Sequence, residues 1–91
     1  MKTFAVLLPM KDEELTKKYR PAHLEFLEKM HEEKKVVLYG RFADGTGGLV
    51  IYQAEDQDEV ETWVKEDPYV LHGARNYEIH EWELATPIKS Y

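Results

Sequence analysis

Two residues far apart in the chain, His23 and Asp67, have the side-chain types that move protons near neutral pH. His23 lies three residues before Phe26 and four before Leu27, so helical spacing places it on the apolar side of its helix. Asp67 precedes Pro68, which disfavours helical geometry at the residue before it and places the carboxylate at a turn. A carboxylate that accepts from one imidazole nitrogen fixes which nitrogen is left available. Together they predict a buried His–Asp pair for proton transfer.

Both residues also have an ordinary structural interpretation. A histidine on the apolar side of a helix is often a core residue whose ring N–H bonds a backbone carbonyl. An aspartate before proline often caps the turn that follows it. Each structural interpretation is the stronger one for His23 or Asp67 taken alone. For the two residues as a pair, the structural and the functional interpretation both stay open.

Arg20 is the nearest candidate to bind an anionic group of a substrate, since it lies one helical turn before His23. A guanidinium binds a carboxylate through a two-point fork. The alternative is a surface ion pair, for which the chain offers Glu13, Glu14 and Glu25.

Other catalytic groups are poorly represented. The chain has no cysteine, which excludes disulfides and thiol catalysis. Its only serine is Ser90, next to the C-terminus, so we expect no serine triad. The four histidines lack the spacing and acidic neighbour of a helical metal site, so no metal is expected. The glycine-rich residues 45–48 join two predicted strands and open no helix, so we expect no phosphate loop and no organic cofactor.

Length and charge narrow the class of protein further. The 91 residues make one domain, residues 1–91. The net charge of −6, with acidic residues spread along the chain, argues against nucleic acid as a partner. The apolar run in residues 3–9 is too short to span a membrane and lacks a cleavage site. We therefore expect a cytoplasmic protein that binds neither nucleic acid nor membrane.

The apolar pattern predicts the element order β-α-β-β-α-β. Strands are predicted at residues 3–8, 36–43, 49–52 and 75–84. Asp12 can cap the first helix, which Pro21 should kink or restart. Residues 56–59 form a capping box that opens the second helix, and Asp67-Pro68 ends it. This order predicts an α+β fold of the split-βαβ or ferredoxin-like type, a four-stranded antiparallel sheet with both helices on one face.

The second face of that sheet would be uncovered. Residues 36–39 and 49–52 are apolar on both sides of their strands, and exposing such a large apolar surface to water is unfavourable. The simplest cover is a second copy that packs sheet against sheet across a two-fold axis. We expect a homodimer or a multiple of it.

Two segments, Arg20-Pro21-Ala22-His23-Leu24 and Asp67-Pro68-Tyr69-Val70, with Gly40 between them and Gly73 after them, resemble the signature of the YciI-related family. The resemblance spans nearly the whole chain. It implies a ferredoxin-like fold that dimerises through its sheets and is related to dimeric α+β barrels such as muconolactone isomerase. It also implies an active site at His23 and Asp67, and one family member is a dehydrochlorinase that acts on a chlorinated hydroxyquinol.

The chain departs from the family pattern near the expected pocket. Arg41 follows Gly40 where many relatives have proline, and the hairpin after it is short and rich in glycine. The chain also carries Glu81-Trp82-Glu83 near its end, where a more basic tail is usual. These differences bear on the substrate more than on the fold.

Two functional hypotheses follow. The first is a small dimeric enzyme of lyase or isomerase type that needs no cofactor. In it, His23 moves a proton on a small cyclic or aromatic compound and Asp67 orients the ring and stabilises its charge. The second is a non-catalytic ligand-binding or accessory dimer whose cleft holds a small molecule. A His23 ring with one free nitrogen favours the enzyme, and a ring with both nitrogens bonded to protein favours the accessory module.

Overall fold

Buried and partly exposed side chains alternate along the first strand, and the buried ones form part of the core of the protein. In the computed structural model, which describes residues 1–87, Phe4, Val6 and Leu8 of this strand are buried and the residues between them are partly exposed. Side chains of a strand point to opposite faces in turn, so these three residues share one face of the sheet. Ser90, the only serine, lies outside the described residues.

The described chain forms four strands and three helices. They are β1 (Lys2–Pro9), α1 (Glu13–Glu32), β2 (Val36–Arg41), β3 (Gly47–Ala54), α2 (Gln57–Glu66), α3 (Pro68–Leu71) and β4 (Glu78–Glu81). The strands pair in the order β2-β3-β1-β4, and every pair is antiparallel. The predicted α+β fold class and element order are confirmed, with the four-residue α3 as an addition.

Both long helices pack on the face of the sheet that carries Phe4, Val6 and Leu8. α1 contributes Leu27 and Met30 to this core, and α2 contributes two valines, Val60 and Val64. No helix within residues 1–87 has the length and apolar character that crossing a membrane requires. The structure describes one chain, so the expected homodimer stays a prediction.

Pro21 neither ends α1 nor restarts it, contrary to one of the sequence-based expectations. The helix begins after Asp12, whose side chain accepts a hydrogen bond from the N–H of Leu15 at 2.9 Å, and it continues through Pro21 to Glu32. Pro21 is exposed, so the carbonyl of Lys17 that lacks its helical partner faces solvent. Buried residues before and after the proline hold both halves of the helix on the same layer.

Every strand differs from its predicted boundaries at one end or both, and the differences in β2, β3 and β4 have identifiable causes or consequences. β2 ends at Arg41 rather than at residue 43, and β3 begins at Gly47, inside the predicted loop. Gly47 has a φ of 150°, and a Cβ there would lie 2.5 Å from the carbonyl oxygen of Leu8, so only glycine allows this pairing with β1. β4 is shorter than residues 75–84 because the N–H of Arg75 donates to the carbonyl of Tyr69, 3.1 Å away, in the turn after α3.

An irregularity in β2 decides which of its side chains face the helices. The register with β3 shifts between Val36 and Leu38, which interrupts the alternation of the strand. Val36 pairs with Tyr52 on the helix side, whereas after the shift Tyr39 pairs with Val50 on that side. Leu38 consequently faces away from the helices and is 66% exposed.

Candidate active site

Asp67 occupies the junction between α2 and α3 and serves both helices. Its N–H donates to the carbonyl of Val64 at 3.1 Å, which closes α2, and its side chain accepts from the N–H of Tyr69 at 2.9 Å, which opens α3. Pro68 occupies the first position of α3, where its missing N–H costs no hydrogen bond. The carboxylate is therefore fixed by local structure before it meets any residue of α1.

His23 contacts this carboxylate from α1. Nδ1 of His23 lies 2.8 Å from Oδ1 of Asp67, and the two residues are 8% and 1% exposed. An ionised carboxylate only accepts hydrogen bonds, so Nδ1 carries the proton of a neutral ring and Nε2 keeps its lone pair. Nε2 makes no hydrogen bond to any residue in the range 1–87. The structure thus brings His23 and Asp67 together, while their roles in catalysis stay predictions.

The ring of His23 belongs to a layered stack with two other planar groups. Its ring lies on the ring of Tyr69, with centroids 3.7 Å apart and planes at 12°. The guanidinium carbon of Arg75 lies 4.6 Å from the centroid of the same tyrosine. Arg75 is in turn fixed by hydrogen bonds from Nε to Oγ1 of Thr16 at 3.3 Å and from Nη1 to the carbonyl of Leu8 at 3.1 Å. These contacts hold the plane of the imidazole.

Burial lowers the pKa of the Arg75 guanidinium below its ordinary value. The neighbouring Tyr69 and Asp67 act against this shift, whereas the positive charge of Arg20 acts with it. An arginine has so high an ordinary pKa that it stays charged near neutral pH. Arg75 therefore supplies a fixed positive charge beside the His–Asp pair.

A cleft of about 340 Å³ opens in front of His23, between α1, the ends of β2 and β3, and the segment after α3. Its polar side chains are His23 and three arginines, and its other walls are apolar or aromatic. The residues that line it are Leu8, Arg20, His23, Leu24, Leu27, Tyr39, Gly40, Arg41, Gly48, Leu49, Val50, Tyr69 and Arg75. Asp67 is not among them. The carboxylate thus lies behind the imidazole, and a ligand in the cleft meets the ring of His23.

Arg20 lines this cleft, as expected of a residue one turn before His23 on the same helix. The alternative of a surface ion pair is not seen, since within residues 1–87 the ion pairs are Lys2–Glu81, His23–Asp67 and Lys35–Glu33. Arg20 is exposed and lines the cleft, so its guanidinium is available to a ligand.

The sequence argument missed Tyr69 and Arg75. No role of its own was predicted for Tyr69, and residues 75–84 were predicted to form a strand. One signal in the chain points to them: Gly73, with a φ of 74°, ends α3 and reverses the chain toward α1. Across residues 1–87, no group of three His, Cys, Asp or Glu side chains is arranged to bind a metal ion.

Comparisons with known proteins identify the family and a similar fold. The model of the YCII-related domain matches residues 1–83. The chain is 32% identical over 79 residues to the uncharacterized protein YjpA of Bacillus subtilis (strain 168), a match that covers 87% of this chain and 93% of YjpA. It also resembles the solved structure of 5-chloro-2-hydroxyhydroquinone dehydrochlorinase from Burkholderia phenoliruptrix AC1100 in complex with 2,5-dihydroxybenzoquinone. That likeness has a TM-score of 0.75 at 25% identity and covers 89% of this chain and 93% of the other.

Proposed function

The chain belongs to the YCII-related family, and we propose that it is a small-molecule enzyme of lyase or isomerase type in which His23 transfers a proton. The observation that carries the proposal is the asymmetry of the His23 ring. Asp67 holds Nδ1 at 2.8 Å, while Nε2 has no partner among residues 1–87, in a side chain that lines the cleft. This is the arrangement expected of a general base and not of a histidine that is fully bonded to protein.

In the proposed reaction, Nε2 of His23 removes a proton from a carbon of the substrate. The electron pair of that C–H bond forms a new double bond. Either a leaving group departs with its own bonding pair, or an adjacent double bond of the substrate breaks and its electron pair accepts the proton at another carbon. The first outcome is an elimination and the second an isomerisation. Asp67 stabilises the imidazolium that forms in both, and Tyr69 keeps the ring in its plane.

The size of the cleft supports a substrate with a single ring. Its volume of about 340 Å³ lies near the lower end of ligand pockets, which span roughly 300–1,000 Å³. The similar dehydrochlorinase supports the elimination by its activity, and the one-ring quinone bound in its structure supports the size of the substrate. Proton transfer of this kind needs no cofactor beyond the side chains of the cleft.

The proposal includes a cytoplasmic homodimer formed through the uncovered face of the sheet. Leu38 is 66% exposed on that face, and Ala5, Leu7 and Leu49 lie partly exposed on the neighbouring strands. A second copy would cover this surface with the same residues across a two-fold axis. Sedimentation of the purified protein at micromolar concentration should give twice the mass of one chain, and a monomer would remove this part of the proposal.

Proton transfer is tested in D₂O with small lactones, hydroxyquinols and 5-chloro-2-hydroxyhydroquinone as substrates. Deuterium uptake is followed by NMR and chloride release by ion chromatography. We expect turnover by the wild type and a loss of roughly 100-fold to 10,000-fold in His23→Ala. The matched control is His31→Ala, because His31 is on the same helix but bonds the carbonyl of Val36 at 2.9 Å, outside the cleft.

The outcomes separate the two functional classes. A His23→Ala variant that is folded and as active as the wild type would remove His23 from the reaction. A wild type that binds these compounds but exchanges no proton and releases no chloride would favour the non-catalytic accessory module instead.

A further inference from the structure

All three arginines of the chain line the same cleft. They are Arg20, Arg41 and Arg75, and they come from α1, from the end of β2 and from the segment after α3. The chain has nine lysines and 18 acidic residues, yet no lysine or carboxylate within residues 1–87 lines that space. A protein with a net charge of −6 therefore has one cleft that is strongly positive.

The position of Arg41 depends on the irregularity in β2. A regular strand that starts with Val36 on the helix side would turn Arg41 to the opposite face, because side chains alternate with a period of two. The register shift after Val36 instead puts Tyr39, and with it Arg41, on the side of the cleft. The backbone of β2 thus directs a cation toward the space in front of His23.

The two outer arginines are free to bind a ligand. Arg20 and Arg41 are both exposed, and neither forms an ion pair within the described residues 1–87. Arg75 differs, since it is 6% exposed and is held by Thr16, Leu8 and the ring of Tyr69. The two exposed arginines and the buried Arg75 carry like charges around one cleft, so they repel one another, and a bound negative charge relieves that repulsion.

We infer that the ligand of this cleft is an anion, a planar one-ring compound that carries a carboxylate or an ionised enol. Arg20 and Arg41 bind its charged group from two sides, and the ring lies toward His23 and Tyr69. Guanidinium suits this ligand better than ammonium because its planar fork matches two oxygens at once. The inference rests on the proposed function only in that the cleft is a ligand site, and it adds the charge and shape of the substrate.

A charged substrate also assists the proposed chemistry. Removing a proton from a carbon next to a carbonyl or enol increases the negative charge on the oxygen. Guanidiniums already in place around that oxygen stabilise the charge as it develops, and the apolar side chains of Leu24 and Leu27 strengthen the interaction by excluding water.

The test compares two ring compounds of nearly the same shape, 4-hydroxybenzoate and neutral 4-hydroxybenzamide, by calorimetry at pH 7 and low salt. We expect the wild type to bind the carboxylate about tenfold more tightly than the amide. Arg20→Gln and Arg41→Gln should each weaken binding of the carboxylate about tenfold, since one charge-assisted interaction is lost, and should leave binding of the amide unchanged. Both residues are exposed, so these variants should fold, and circular dichroism checks that they do.

The matched control is Lys65→Gln, which removes one positive charge from an exposed position of α2 outside the cleft and should not change either affinity. Equal binding of the acid and the amide by the wild type would overturn the inference. So would no binding of 4-hydroxybenzoate at millimolar concentration, or unchanged carboxylate affinity in both arginine variants.

Failure of this inference is distinguishable from failure of the proposed function. His23→Asn should keep carboxylate binding within about threefold of the wild type, because its effect falls on proton transfer and not on the arginines. A loss of proton exchange in that variant with normal binding supports both proposals. Proton exchange that persists in His23→Asn, with arginine-dependent binding intact, contradicts the catalytic role of His23 and leaves the anion inference standing.

Discussion

The two helical regions that cover the sheet bury different kinds of side chain. The buried polar and charged side chains of residues 1–87 all belong to α1, to α3 or to the segments beside α3, and they are Thr16, His23, Asp67 and Arg75. α2 buries only Val60 and Val64, which pack into the apolar core. We call α1, α3 and the segments beside α3 the polar region, and we call α2 the apolar region.

The difference between these regions indicates what each one does. Burying an apolar side chain stabilises the fold, whereas burying a polar group costs free energy unless it is hydrogen-bonded. The polar region bears such a cost, since Oδ2 of Asp67 is buried with no hydrogen-bond partner in the described chain. We expect changes in the apolar region to lower stability without altering turnover, and changes in the polar region to do the reverse.

The largest effect on stability is expected for Val64→Ala in the apolar region. Val64 is 1% exposed, so truncation leaves a cavity and should lower the free energy of unfolding by about 2–3 kcal/mol. Turnover per folded molecule should not change. Urea denaturation and the deuterium exchange assay measure the two quantities, and a tenfold fall in turnover of the folded variant would contradict the division between the regions.

Asp67→Asn tests the polar region with a nearly isosteric change. Oδ1 still accepts from Tyr69 and from His23, but the charge that stabilises the imidazolium is lost. We expect turnover to fall roughly 10-fold to 100-fold, as for other residues that orient a reactive group. Wild-type turnover in this variant would show that the carboxylate serves only to cap α3, and Asp12→Asn, at the cap of α1, is the matched control.

Tyr52 of β3 belongs to the core on which both regions pack, and Tyr52→Phe tests through pH how strongly that core excludes a charge. Burial, and after it the negative charges of Asp67 and Glu66, raise the pKa of Tyr52 far above its ordinary value of about 10. Below pH 10 the hydroxyl is neutral in both states and its ionisation does not affect stability. Above pH 10 only the unfolded chain loses the proton, so the free energy of unfolding should fall by about 1.4 kcal/mol per pH unit from this residue.

Tyr52→Phe should lack that contribution. The measurement is urea denaturation between pH 9 and pH 11 for both proteins, and the difference between their slopes isolates Tyr52 from the other groups that titrate there. Parallel slopes would mean that Tyr52 ionises in the folded protein as easily as in the unfolded chain.

The smallest effect concerns Tyr69, which lies between His23 and Arg75. Tyr69→Leu removes both stacking contacts, worth about 0.5–1.5 kcal/mol each, and should lower turnover by about tenfold. Tyr69→Phe keeps the ring and should retain most of the activity. If the two variants are equally impaired, the hydroxyl matters and the stack does not.

Local rules were enough to predict six of the seven elements and to identify His23 and Asp67 as a candidate pair. The apolar spacing around His23 and the proline after Asp67 are features of a few adjacent residues, and two helices on one face of the sheet bring such positions together. The boundaries of β3 and β4 were wrong because they depend on distant contacts, the approach of Gly47 to Leu8 and the bond from Arg75 to Tyr69.

Local rules could not place the other residues of the site, because their positions also depend on contacts between distant parts of the chain. The side of the sheet that Arg41 faces depends on a register shift, which is a property of two paired strands and has no signature in one of them. The stack of Tyr69 on His23 depends on where α3 lies against α1. Pairing and packing over long distances therefore decide what the cleft presents to a ligand.

The position of the proton on the His23 ring tests most directly whether the polar region can act as proposed. ¹⁵N NMR of histidine-labelled protein reports which ring nitrogen carries that proton, with His23→Asn to assign the signals and the exposed His80 as an internal reference. For the neutral form of the ring, we predict the proton at Nδ1 and Nε2 at the shift of an unprotonated nitrogen, because Oδ1 of Asp67 lies 2.8 Å from Nδ1. A neutral ring protonated at Nε2 would contradict the role of His23 as a base held by Asp67.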